Sequence, residues 1–142
     1  MMSKEELFRI GSPFEIKVTV TADTTDNSFV LSSSDYDWNG DGTDETTPFS
    51  DYSLYITGLN LSTGSLTGTV KVILDDHIIY SETASAAAVT VAWDGTGSNP
   101  KLEDVFGDFL ICRDEIKVTK SAAPDAAGTL ILRGVAVPKR LL

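Results

Sequence analysis

Residues 14–21 read Phe14-Glu15-Ile16-Lys17-Val18-Thr19-Val20-Thr21 and alternate strictly between apolar and polar side chains. Successive side chains of a β-strand point to opposite faces, so this order places the apolar groups on one face and the polar groups on the other. The stretch therefore predicts a strand that buries one face in a core. Other strands have to cover that face.

The same two-residue period recurs further along the chain. Residues 66–74 carry it, Asp75-Asp76-His77 supplies a turn, and residues 78–80 begin a return strand, so a hairpin is predicted here. Residues 89–93 form another strand, which the Gly- and Asp-rich residues 94–100 end. Further strands are predicted at residues 29–31, 53–59, 109–112, 115–120 and 129–137. The total, about eight or nine, is usual for a β-sandwich.

Helical periodicity is short wherever it occurs. Residues 100–109 predict one short internal helix, and Ser3 with Glu6 has the spacing of a capping box at the start of an N-terminal helix or arm. We therefore predict an all-β fold, an antiparallel β-sandwich of immunoglobulin-like or jelly-roll topology. It occupies residues 14–137, between an N-terminal arm at 1–13 and a C-terminal tail at 138–142.

The charge balance excludes some classes of partner. Eleven basic and 21 acidic residues among 142 give a formal net charge of −10. That sign is wrong for neutralising nucleic-acid phosphates or lying on an anionic membrane, so we expect no nucleic acid and no membrane among the partners. One Cys and one His also exclude a disulfide scaffold and a zinc finger.

An Asp-rich motif at residues 35–45 is the only chemical motif in the chain. Calcium is held by six to eight hard oxygen ligands, which alternating positions around a glycine bend can supply. The candidate metal ligands are Asp35, Asp37, Asn39, Asp41 and Glu45. The alternative is a loop whose Asx side chains bond their own backbone without a metal.

The stretch Asp37–Glu45 resembles the short calcium loops of dockerin, integrin-type and thrombospondin type 3 repeats, through the pattern D-x-[DN]-x-D-G-x-x-[DE]. Tyr36, Trp38 and Asp41 also resemble the aromatic and Asp-Gly turn of PKD domains, which are immunoglobulin-like modules of surface proteins. The resemblance to the short calcium loops implies calcium as a cofactor. The resemblance to PKD domains is consistent with the predicted sandwich.

No catalytic signature is present, and we predict that the chain is not an enzyme. His77 lies in a predicted turn, and Cys112 follows an apolar run that predicts burial of a small side chain. Four aromatic residues supply either a platform for a sugar ring or part of the core: Tyr36, Trp38, Tyr52 and Tyr55.

Both terminal segments carry apolar residues that suit a partner. The candidate partner-binding residues are Leu7, Phe8 and Ile10 in the arm and Lys139, Arg140, Leu141 and Leu142 in the tail. The alternatives are that the arm covers an open end of the core and that the tail frays.

The chain begins without the apolar run of a secretory signal, which predicts synthesis in the cytoplasm, whereas its Thr-, Ser- and Asp-rich body is typical of extracellular β-domains. A virion protein satisfies both expectations.

Taken as a whole, the sequence resembles immunoglobulin-like virion accessory proteins of the decoration or cement type. That resemblance implies a structural protein of a tailed-phage particle, a decoration, cement or fibre module that binds an assembled lattice. Its expected partners are further copies of itself, in a homo-oligomer such as a trimer, and other structural proteins such as a major capsid protein. The alternatives are a calcium-stabilised adhesion or carbohydrate-binding module at the cell surface or secreted, and a hydrolase with paired carboxylates.

Overall fold

The computed structural model describes residues 3–32 and 51–139. These residues form two short helices and seven strands. In chain order the elements are α1 (Lys4–Ile10), β1 (Ser12–Val20), β2 (Asn27–Val30), β3 (Tyr52–Leu74), β4 (His77–Trp93), α2 (Leu102–Phe106), β5 (Leu110–Cys112), β6 (Glu115–Lys120) and β7 (Gly128–Pro138).

The strand β1 has the sidedness that its sequence predicts. Phe14, Ile16, Val18 and Val20 are buried, and the polar residues between them are exposed. A strand alternates its side chains between two faces, so the polar/apolar alternation is enough to separate them. The predicted first strand is confirmed.

All described strands belong to one antiparallel sheet. Its order is β1-β7-β3-β6-β2, and β4 and β5 also pair with β3. The long strand β3 is the centre: β7 and β6 follow it in turn along one side, and β5 and β4 follow it along the other. The antiparallel all-β prediction is confirmed.

The sheet curls because β3 doubles back. Leu54, near its start, pairs with Cys112, and Leu74, at its end, pairs with Ile116. Only three residues of chain lie between these two partners, so the partners are at most about 14 Å apart. A straight strand of the length of β3 would measure roughly 75 Å. Both ends of β3 therefore lie at the same end of the molecule.

The curled sheet encloses one main core. A single cluster of buried side chains includes Ile16 of β1 and Phe29 of β2, which stand at opposite ends of the strand order. The predicted division into two separate sheets is not confirmed, because every described strand joins the same hydrogen-bonded network. The described strands instead form one curled sheet around the core.

The predicted hairpin is confirmed, with a turn shorter than expected. Asp75 and Asp76 connect β3 to β4, and both have positive φ, 49° and 67°. Two-residue connections of this kind match the twist of the flanking strands. Asp tolerates the left-handed region better than most residues with a Cβ, which explains the pair at this position.

The described residues form seven strands rather than the eight or nine predicted, because two pairs of predicted strands are continuous. Residues 53–59 and 66–74 both belong to β3, and residues 78–80 and 89–93 both belong to β4. The residues of β3 between the two predicted strands are typical of a loop. They lie at register shifts in the pairing with β4, between Ser62 and Ser65 and between Leu66 and Gly68. Bulges bend a strand without ending it.

Both predicted helices are present. The backbone N–H of Glu6 donates to Ser3 Oγ at 3.2 Å at the start of α1, as the capping pattern predicts. In α2, Leu102 is fully buried and Gly107 ends the helix with a φ of 83°. Within residues 3–32 and 51–139, neither helix has the length and apolar character needed to span a bilayer.

Candidate functional site

Both ends of the described chain lie at one end of the sheet. Ser12, the first residue of β1, pairs with Ala136 of β7, and Tyr52, the first residue of β3, pairs with Pro138. The helix α1 ends just before β1, so Ile10 lies beside the place where the chain leaves β7. The strand register therefore brings the N-terminal arm and the C-terminal tail together.

The residues that flank segment 33–50 lie at this end as well. The backbone N–H of Lys139 donates to the carbonyl oxygen of Asp51 at 2.8 Å. Lys139 and Ser32 line the same depression, which has a volume of about 140 Å³. We call this region, defined by Ile10, Ser32, Asp51 and Lys139, the terminal end.

Asp75 fixes the turn between β5 and β6 at the terminal end. Its carboxylate accepts the backbone N–H groups of Arg113, Asp114 and Glu115 at 2.7, 2.8 and 2.9 Å. Partial burial raises the pKa of Asp75, but these hydrogen bonds outweigh it and hold that pKa below its ordinary value. The carboxylate thus joins the β3–β4 turn to the β5–β6 turn.

An open groove adjoins the terminal end on the outer face of the sheet. It has a volume of about 660 Å³ and lies between β1, β7 and β3 and the segment that contains α2. Pro13 and Val135 pair across β1 and β7 in its floor. Phe109 stacks on Tyr55 with ring centroids 4.8 Å apart, and burial raises the pKa of Tyr55. The groove is mainly apolar.

A chain of hydrogen bonds crosses the strands beside this groove. Arg133 donates from Nε to Glu15 Oε2 at 3.1 Å and from Nη1 to Asn60 Oδ1 at 3.0 Å. Asn60 Nδ2 donates to Asp94 Oδ2 at 2.9 Å. The hydrogen bond from Asn60, followed by those from Thr96 and Asn99, lowers the pKa of Asp94 well below its usual range. The bonds from the loop residues hold the loop after β4 in place.

Of the predicted partner-binding residues that are described, Ile10 and Lys139 lie at the terminal end. Ile10 is 40% exposed and Lys139 is exposed. Leu7 and Phe8 lie within α1. Arg140, Leu141 and Leu142 lie outside the described residues, so their role stays a prediction.

The predicted calcium ligands also lie outside the described residues: Asp35, Asp37, Asn39, Asp41 and Glu45. In the part of the chain that is described, no group of three or more His, Cys, Asp or Glu side chains is placed to hold a metal ion. Calcium binding therefore stays a prediction from the sequence.

Two of the four predicted platform aromatics are described, and Tyr55 is not on the surface. It is 3% exposed and lies beneath Phe109, while Tyr52 is half-buried against the core. Tyr36 and Trp38 lie outside the described residues. The core alternative fits the two tyrosines that are described.

The single histidine and cysteine have the environments expected of structural residues. His77 is exposed, and its Nδ1 lies 2.9 Å from the carbonyl oxygen of Asp75. Cys112 is fully buried, and burial, together with the nearby Asp75 carboxylate, raises its thiol pKa. The predicted burial of Cys112 is confirmed.

One buried charged residue was not predicted. Lys120 ends β6, and its side chain is enclosed. The two-residue period of residues 115–120 could have indicated this burial, because it places Lys120 on the same face as Ile116 and Val118. A lysine is rarely buried without partners, and those of Lys120 come from the connection between β1 and β2.

No protein-family model matches the chain, and no match is found among the curated proteins or the solved structures.

Proposed function

We propose that the chain is a non-enzymatic structural protein of a virus particle, of the tailed-phage kind: a decoration, cement or fibre module that binds an assembled lattice. It is made in the host cytoplasm and becomes part of the virion. The observation that carries the proposal is the convergence of both terminal segments at the terminal end.

Segments outside a folded core can order on a neighbouring molecule. Such ordering costs conformational entropy, which buried apolar contacts on the neighbour offset. Ile10 is exposed at the terminal end, and the tail from Lys139 adds basic and apolar groups to an acidic chain. Because the two segments leave from the same place, one neighbouring surface can engage both.

The outer-face groove extends the same surface. Its apolar floor at Pro13 and Val135 begins one residue from the first pairing of β1 with β7. An apolar depression beside two terminal segments suits a protein partner better than a small polar substrate. The partners we propose are further copies of this chain and a major capsid protein.

Sedimentation with particles of the virus that encodes the chain tests the proposal. The full-length protein is expected to pellet with the particles. Ile10→Asp places a negative charge at the terminal end, and we expect it to pellet at least tenfold less. Ala87→Asp adds the same charge on β4, at an exposed position near the bend of β3, and serves as the matched control.

Pelleting of the control with loss of pelleting for Ile10→Asp supports the proposal. It is overturned if the wild-type protein stays in the supernatant and light scattering shows only a monomer. It is also overturned if both variants bind particles as the wild type does, because the terminal end then carries no binding.

A further inference from the structure

Lys120 is enclosed at the end of β6. Its side chain has no exposed surface, and Val70 of β3 is its paired neighbour. The amine lies against the connection between β1 and β2, where three side chains and one backbone carbonyl surround it. These groups come from Thr21, Asp23 and Asn27.

The amine is in contact with an amide. Lys120 Nζ lies 2.8 Å from Asn27 Oδ1, 2.8 Å from the carbonyl oxygen of Thr21 and 3.0 Å from Thr21 Oγ1. A carboxylate oxygen of Asp23 lies 3.6 Å away. Because a C=O bond is about 1.2 Å long, this contact to Oδ1 places Nζ within about 4 Å of Asn27 Cγ, the carbon that an amine nucleophile attacks.

The amide is also polarised. Asn27 Oδ1 accepts the backbone N–H of Thr21 at 3.1 Å in addition to the lysine. That N–H is placed to stabilise negative charge on the oxygen when the carbonyl carbon is attacked. The leaving nitrogen, Asn27 Nδ2, donates to Thr21 Oγ1 at 3.1 Å.

A route for the proton is present. Thr21 Oγ1 donates to Asp23 Oδ1 at 2.6 Å and accepts from both Lys120 Nζ and Asn27 Nδ2. This hydrogen bond from Thr21 is the main cause of the lowered pKa of Asp23, so the carboxylate is anionic at neutral pH. The hydroxyl therefore connects the amine, the leaving group and a base.

We propose that Lys120 and Asn27 form an intramolecular isopeptide bond. The Lys120 ammonium first gives one proton to the Asp23 carboxylate. The neutral Nζ then attacks Asn27 Cγ, the new Nζ–Cγ bond forms, and the Cγ–Nδ2 bond breaks. Asp23 passes its proton by way of Thr21 Oγ1 to Nδ2, which leaves as ammonia, and takes up the second proton that Nζ loses. No oxidant, reductant or cofactor is consumed. The bond ties the start of β2 to the end of β6, and it does not depend on the proposed function.

The mass of the full-length protein, measured under denaturing conditions, tests the bond. The wild type is expected to be lighter than its sequence mass by one ammonia molecule. A protease digest is expected to contain a branched peptide that joins Asn27 to Lys120. Lys120→Arg and Asn27→Ala cannot form the bond, so each is expected to have the mass of its own sequence.

Two further variants test whether the reaction is specific to Lys120 and whether Asp23 acts as its base. Lys117→Arg changes a partly exposed lysine of the same strand, and we expect it to lose ammonia as the wild type does. Asp23 is 56% exposed, so Asp23→Asn is expected to fold and to form the bond at least tenfold more slowly. Formation at the wild-type rate would remove Asp23 from the mechanism.

The proposal is overturned if the folded wild-type protein retains its full sequence mass after long incubation. In that case Lys120 is a buried ammonium that its oxygen partners stabilise without reaction. Loss of ammonia that persists in Lys120→Arg also overturns it, because the amide then reacts with another group.

Discussion

Asp75 shows how one side chain connects distant parts of this chain. Its positive φ forms the β3–β4 turn, and its carboxylate accepts three consecutive backbone N–H groups from a turn almost forty residues later. Hydrogen bonds to a charged group are stronger than neutral ones. Asp75 is therefore the residue in the described chain from which we expect the largest effect of a polar substitution at the terminal end.

We predict that Asp75→Asn lowers the free energy of unfolding by about 2 kcal/mol. Asn tolerates the same backbone conformation, but its amide group presents a donor to the N–H groups where the carboxylate presents an acceptor. Urea unfolding measures the change. Asp76→Asn, at the exposed neighbouring position with a φ of 67°, is the control and should change stability little.

The loss of stability in Asp75→Asn should depend on pH. Because the folded state lowers the pKa of Asp75, the stabilisation is complete above the unfolded-state pKa of about 3.9 and is lost as the pH falls through the folded-state value. The difference between wild type and Asp75→Asn should thus be full at neutral pH and shrink in strong acid. An equal difference at both pH values contradicts the role we assign to the carboxylate.

Where β3 and β7 change register, the backbones of the two strands leave no room for a Cβ at Gly134. A Cβ added at Gly134 would overlap the carbonyl oxygen of Tyr55, whereas one added at Gly58 would meet nothing closer than 3.8 Å. The register shift between Ile56 and Gly58 lies beside both positions. The sequence alone does not show which of the two glycines has room for a Cβ.

We predict that Gly134→Ala destabilises the fold by about 1–3 kcal/mol, because the strands must move apart or the methyl group must overlap the backbone. Gly58→Ala adds the same methyl group one strand away, where there is room, and should change stability by less. Thermal unfolding of the two variants gives the comparison. Equal melting temperatures would contradict the close approach.

Most strands could be predicted from the sequence because each carries its own sidedness. Residues 115–120 and 129–137 are examples, and both match the observed strands within one residue. The continuity of β3 could not be predicted, because Ser62, Gly64 and Ser65 are residues typical of loops. In the folded chain they occupy bulges, which only the partner strand defines.

The arrangement of the whole molecule was less accessible to sequence analysis. Partner binding by the terminal segments could be proposed from their apolar residues, but the convergence of the two segments depends on the pairing of Ser12 with Ala136. That contact joins residues at opposite ends of the chain, and no local pattern encodes it. The prediction of two separate sheets is not confirmed for the same reason, since the bend of β3 depends on the strands that pair with it.

The distance between Ile10 and Lys139 tests the central claim, that both terminal segments leave from one end of the sheet. Spin labels at Ile10→Cys and Lys139→Cys allow its measurement by electron paramagnetic resonance, and Cys112 is buried and should stay unlabelled. A second pair, at Ile10→Cys and Ala87→Cys, spans the molecule to the bend of β3 and is expected at about 35 Å. For the first pair we expect a single short distance, below roughly 20 Å. A distance for Ile10 and Lys139 as long as that of the second pair would contradict it.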